Sequence, residues 1–134
     1  EKMMITDIDI KDVAYRLVSG SPLNGMISGR VYKDGRPMNS GKEDIAIAVL
    51  AGDAAQSQEF ALVINLFVPD GNRVNDSVES TKRLRLLCSE CIKTFESAHF
   101  EKVWFHLDSQ RVMKADDADE HFISNKVIAD VCCG

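Results

Sequence analysis

Hydrophobic residues recur along this chain with two different periods, and the change of period marks its elements. Ile10, Val13, Ala14, Leu17 and Val18 follow helical spacing, so residues 7–19 are predicted to form an amphipathic first helix. Thr6-Asp7-Ile8-Asp9 has the phrasing of a capping box at its start. Gly20 is placed to take a left-handed C-terminal position, and Pro22 to prevent continuation. Asn24-Gly25 reads as a turn.

The period then shortens to two. Met26–Lys33 is expected as a short strand, Asp44–Leu50 as a second, and Phe60–Val68 as a long third strand closed by Pro69-Asp70-Gly71. Phe60, Leu62, Ile64, Leu66 and Val68 share one face of the third strand, while Ala61, Val63, Asn65 and Phe67 share the other. A strand apolar on nearly both faces belongs at the centre of a sheet, or under cover on both sides. In the second strand Ile45, Ile47 and Val49 are large, and the small face of Ala46 and Ala48 would let a helix approach closely. Two loops join these strands. Ala51–Glu59 is rich in small residues, and Asp34–Glu43 is a polar run longer than a hairpin needs.

Asn75 or Asp76 can cap a second helix running to about Ser97, with Leu84, Leu87, Cys88, Cys91, Ile92 and Phe95 as its apolar stripe. Val103, Phe105 and Leu107 then alternate with Trp104 and His106 in a strand, and Val112 and Met113 begin or continue another. Asp116–Glu120 reads as a solvated acidic turn. Phe122–Val131 closes the fold with Ile123, Val127, Ala129 and Val131 inward. The order α-βββ-α-ββ predicts an α+β fold with a mostly antiparallel sheet of about five strands packed by two main helices. The chain of 134 residues suits one domain, 1–134, and its opening Glu1-Lys2-Met3-Met4 contains two candidate start residues.

Composition narrows the functional classes. Apolar residues make up 45% and charged residues 28%, as in ordinary globular domains. The net charge of −5 argues against a sequence-specific nucleic-acid binder, which needs clustered Lys and Arg against phosphate. No apolar run approaches the length of a membrane span, and the chain opens without a basic-then-apolar signal segment. Cys88, Cys91, Cys132 and Cys133 are accordingly read as reduced thiols of a cytosolic compartment.

Candidate chemistry mostly dissolves on spacing. In the stretch Gly35–Lys42, five residues separate the two glycines and Glu43 follows the lysine, whereas a phosphate loop has four and then Ser or Thr. Cys88-Ser89-Glu90-Cys91 has CxxC spacing but falls mid-helix on the apolar stripe, away from the helix start that lowers a thiol pKa. Two buried core thiols are the expected outcome. Cys132 and Cys133, adjacent and on opposite faces of a strand, are poor partners for one tetrahedral zinc. His99, His106 and His121 lack a neighbouring nucleophile and are expected at the surface or in loops. The acidic run lacks the spaced oxygens and glycine of a calcium loop. No catalytic, cofactor-binding or metal residue is therefore expected. Trp104 beside His106 reads either as cover under a helix or as an interface anchor. In the long loop, Arg36 offers a fork for a neighbour's carboxylate, and Lys42, Glu43 and Asp44 supply both signs of charge. Arg36, Lys42, Glu43, Asp44 and Trp104 are thus the candidate interface residues.

A short N-terminal helix is followed by Ile27-Ser-Gly-Arg-Val-Tyr-Lys-Asp-Gly-Arg-Pro37, Glu43-Asp-Ile-Ala-Ile-Ala-Val-Leu50 and Gln58-Glu-Phe-Ala-Leu-Val-Ile-Asn-Leu-Phe-Val-Pro69. A helix and a closing pair of strands complete the layout. In layout, size and strand phrasing over most of the chain, this resembles the tail terminator and tail-completion (head–tail joining) proteins of phages and prophages. The resemblance implies a small α+β subunit that closes with its own copies into a ring, commonly a hexamer. Such a ring caps the tail-tube protein and meets the head connector. It would assemble in the host cytoplasm and end in the virion tail, and the resemblance implies no catalytic residue. The alternative is a small ligand-binding or enzymatic α+β domain whose site forms only in three dimensions.

Overall fold

Helix α1 (Asp7–Ser19) begins at Thr6, whose hydroxyl accepts the Asp9 N–H at 3.2 Å while the Asp9 carboxylate accepts the Thr6 N–H at 3.0 Å. The expected capping box is present, and it satisfies two N–H groups that the first turn leaves without partners. The computed structural model of the chain describes residues 6–38, 40–53, 59–71, 76–116 and 118–131, with the side chains of all of these except 51–53 and 76–80. Asn75, Asp117, Cys132 and Cys133 lie outside the described residues.

Gly20 ends α1 at φ −90, not in the left-handed region expected of it, and its N–H reaches the Arg16 carbonyl at 3.0 Å. Pro22 does more than stop α1. Its fixed φ and missing N–H suit the first position of a new helix, and it opens the five-residue α2 (Pro22–Met26). Asn24 and Gly25 lie inside that helix rather than in a turn, and the strand expected from Met26 is confined to β1 (Val31–Lys33).

The remaining elements are β2 (Ile45–Asp53), β3 (Glu59–Pro69), α3 (Asp76–Phe95), β4 (Ala98–Phe100), β5 (Val103–Lys114) and β6 (Glu120–Val131). They form one six-stranded sheet in the order β1-β2-β3-β6-β5-β4. Every pairing is antiparallel except β1 with β2. The α+β, mostly antiparallel class predicted from the sequence is the observed one. β2 runs three residues past Leu50, and Val112 and Met113 continue β5 rather than begin a strand. The additional strand is β4, joined to β5 by a tight turn with Glu101 at φ 50 and Lys102 at φ 68. The Arg16 guanidinium clamps that turn, its Nε reaching Glu101 Oε2 at 2.9 Å.

The parallel pairing of β1 and β2 changes the meaning of the first loop. Two parallel neighbours cannot be joined by a hairpin turn. Residues 34–44 carry the chain back along β1 before β2 begins.

Helices α1 and α3 cover one face of the sheet. Ile10, Ala14 and Val18 of α1 and Leu87, Cys91 and Phe95 of α3 join Phe60, Leu62, Ile64, Leu66, Phe105, Ile123 and Val127 in one buried cluster. Each fully buried Val, Leu, Ile or Phe among them stabilises the fold by about 1.5–3 kcal/mol. The other side of β3 is only half-buried, so its central position, not a second cover, accounts for its double apolarity. The helices pack against Ile45 and Ile47, and the small face of Ala46 and Ala48 lies on the open side instead. On α3, Ile92, which helical spacing puts in the apolar stripe, stands 38% exposed, one residue round the helix from buried Cys91.

A buried amide joins α3 to the sheet. Asn125, fully buried, donates to the Ile64 carbonyl at 3.0 Å and accepts from Gln110 Nε2 at 2.9 Å, while that amide also reaches the Cys88 carbonyl at 3.1 Å. Burial pushes the Cys91 thiol up to about 12, against a hydrogen bond from Asn125, and also raises Cys88.

Candidate functional site

The returning loop is built around its charged residues. It turns at Asp34, whose φ of 73 is held by its N–H on the Ile47 carbonyl at 2.7 Å and its carboxylate on Lys11 at 2.6 Å. The chain then crosses the open face of the sheet. Arg36 lies over the Phe67 ring at 4.2 Å, and Phe67 packs on Phe122 with ring centres 5.3 Å apart. The guanidinium Nε meets Asp44 at 3.1 Å, Nη1 meets Glu120 at 2.8 Å, and Nη2 meets the Lys42 carbonyl at 3.3 Å. Burial works against this charge, but hydrogen bonds to Glu120 and Asp44 outweigh it and raise the Arg36 pKa.

Asp44 is 1% exposed, and its Oδ1 also accepts the Arg30 N–H at 3.1 Å. Glu43 is held as firmly. Its carboxylate takes Arg83 Nε and Nη2, each at 2.7 Å, and the Ser28 N–H at 3.2 Å. The Ser28 hydroxyl in turn accepts the Glu43 N–H at 2.9 Å, and Arg83 also donates to the Met26 carbonyl. The end of the loop is thus pinned between α3 and the segment entering β1.

Of the five residues singled out by sequence, Arg36, Glu43 and Asp44 direct their charges into the chain's own structure, while Lys42 is exposed. Trp104 stands elsewhere. It is 48% exposed and stacked flat on His99, with centroids 4.2 Å apart. Trp104 pairs with Asp130 and Phe67 with Phe122, so eight residues of β6, about 26 Å, separate the two places. The structure does not bring them together.

Glu120 completes the loop's anchor, and sequence reasoning missed it as part of a solvated acidic turn. It is 9% exposed and begins β6. Its partner lies 84 residues away, so no local pattern signals it. Arg83, placed on the polar side of α3 by its periodicity, is likewise drawn in by Glu43. Of the histidines, His99 and His106 are exposed strand residues, and His121 Nδ1 lies 2.7 Å from the Asp70 carboxylate.

Among the described residues, no three His, Cys, Asp or Glu side chains come together as a metal site. No described helix is long and apolar enough to cross a membrane. An open hollow of about 550 Å³ lies between α1 and β1, lined by residues that include Tyr15, Asn24, Arg30 and Tyr32. The Asn24 amide is spent there on the Ser19 carbonyl at 3.0 Å.

No family model and no curated protein matches this sequence. Among solved structures, a chain from the virion of a native gene transfer agent (GTA) particle shares the fold with a TM-score of 0.58. The match covers 91% of this chain and 93% of that one at 11% identity. The likeness is one of fold.

Proposed function

We propose that this chain is a structural subunit of a phage-like particle, acting as a tail terminator or tail-completion protein that rings the end of the tail tube and meets the head connector. One observation carries the reading: the fold is shared, over nearly the whole of both chains, with a component of a gene transfer agent virion. The family resemblance of the strand layout supports the same class from the sequence side. The charged residues favour it too. Arg36, Asp44, Glu43, Arg83 and Glu120 satisfy one another in a rigid scaffold rather than converging on an empty cleft. Such a scaffold presents Lys42 and Met38, which is 90% exposed, to a partner, and Trp104 offers a second, separate contact.

Deleting the gene from the element that carries it tests the reading. Electron microscopy should then show filled heads without joined tails, or tails of uncontrolled length, and normal particles should return when the gene is supplied in trans. Complete, infectious or DNA-transferring particles made without the gene would contradict it.

A further inference from the structure

Both outermost strands of the sheet are only three residues long. β4 covers Val103–Phe105 of the twelve-residue β5, and β1 covers Ile45–Ile47 of the nine-residue β2. Residues 106–114 on one edge and 48–53 on the other therefore have no strand beside them among the described residues. The hydrogen bonding shows which groups face out. The Ala115 N–H bonds the Glu120 carbonyl, so by antiparallel alternation Gln110, Val112 and Lys114 turn both backbone groups away from β6. At the other edge Ile45 and Ile47 turn theirs to the β1 side, where they bond Arg30 and Asp34. An edge of this length is a template for another strand.

The two edges have matching outlines. Val112 pairs with Ile123, Ile123 with Leu66, and Leu66 with Ile45, so β1 borders the sheet at the level of residues 110–112 of β5. Phe105, Ala129, Phe60 and Gly52 form another rung, so β4 borders it at the opposite end. Each short strand stands on one edge at the level where the other edge is open.

We propose that copies of this chain join head to tail by continuing the sheet. In this joint β1 of one copy pairs antiparallel with the open part of its neighbour's β5, and the neighbour's β4 pairs with the open part of the first copy's β2. The two short strands then share one column, two strand spacings or about 9.6 Å wide, between β2 and β5. The directions agree, because β5 runs opposite to β2 and β1 runs with β2.

Both long edge strands bulge on one rung, Val49–Leu62–Val127–Leu107, at Leu50 and at Asp108. These bulges flank the gap between β1 and β4, add bend to a sheet that continues round a ring, and deter pairing with strands of other outline. The joint covers Val112 and Met113, which are 47% and 44% exposed in the single chain. A contact between two different edges is heterologous, and it closes into a ring when its rotation permits. The proposal deepens the ring-subunit reading and rests on it for closure, but not for the edge contact itself.

In this register Tyr32 stands opposite Arg111 of the neighbour. Both turn their backbone groups inward, which makes them a non-hydrogen-bonded pair with Cα atoms about 4.5 Å apart, within disulfide reach. The test mixes Tyr32→Cys chains with Arg111→Cys chains at millimolar protein under oxidising conditions. Each variant alone and the parent with its own cysteines set the background. The expected result is a disulfide-linked dimer in the mixture above all three controls, and a ladder of linked oligomers from the double variant. Adding Val112→Pro to the Arg111→Cys chain removes one outward N–H and should abolish the link while circular dichroism stays unchanged. A dimer formed equally well by Arg111→Cys alone would show a twofold contact and overturn the proposal. So would an oligomer by light scattering with no link in the mixture, or neither oligomer nor link. Failure of the tail assignment shows differently, as complete particles made without the gene.

Discussion

Gly29 has no room for a side chain because Asp44 stands where one would go. A Cβ there would meet Asp44 Oδ1 at 1.9 Å and the Glu43 carbonyl at 2.5 Å. The close approach lets the Gly29 N–H bond that carbonyl at 2.8 Å and the Arg30 N–H bond the Asp44 carboxylate. Gly29→Ala must displace a buried carboxylate and is expected to cost about 2–3 kcal/mol in urea unfolding. Gly25→Ala is the control. It meets nothing within 4 Å in helix α2 and should be neutral or stabilising by about 0.5–1 kcal/mol.

Arg36 is the keystone of the returning loop. Arg36→Ala leaves Asp44, 1% exposed, and the Glu120 side chain, 12% exposed, without their cation. A loss of about 3 kcal/mol is expected. Arg36→Lys should recover only part of it, because an ammonium cannot hold two carboxylates as a planar fork does. If chemical denaturation shows both variants as stable as the parent, the loop is not anchored through this residue.

Cys91 is held neutral by burial, its pKa pushed up to about 12. In the unfolded chain a thiol ionises near its ordinary value, around 8.5. The folded state keeps the proton more tightly, so this contribution is intact at neutral pH and is lost as pH rises from about 9 towards 12. Thermal unfolding should show an alkaline decline that is shallower in Cys91→Ala, a variant that costs about 1 kcal/mol or somewhat more at pH 7 through lost packing. Cys91 should also resist thiol reagents at pH 8 until the protein unfolds.

The turn between β4 and β5 places two side chains in the left-handed region, at Glu101 and Lys102. That conformation costs roughly 1–2 kcal/mol per ordinary residue. Lys102→Gly is therefore expected to stabilise the chain by about 1 kcal/mol, leaving the Arg16–Glu101 clamp in place. A melting temperature unchanged or lowered by this substitution would show that the strain is relieved elsewhere.

The elements that sequence reveals are those with a strong local pattern. Thr6 and Asp9 fix the start of α1, and the alternation from Phe60 to Val68 fixes both the extent and the inner face of β3. What stays hidden is set by distance or by competition. Alternation tells which face a residue takes but not which strand lies beside it, so the parallel placement of β1 left no trace. Pro22 reads equally well as a helix end and a helix start, and the second reading makes Asn24 and Gly25 helical and takes Met26 out of the expected strand. β4 is too short to show a period. The candidate site was half legible. The loop's charges are evident in sequence, but their partners Glu120 and Arg83 lie 84 and 40 residues away, and only the folded chain shows that Arg36 is already paired.

The proposed assembly of this chain with its own copies can be followed by native mass spectrometry of the purified protein at rising concentration. A shift from monomer to one closed oligomer of fixed stoichiometry is expected, abolished by Val112→Pro. A chain that remains strictly monomeric to millimolar concentration would contradict it.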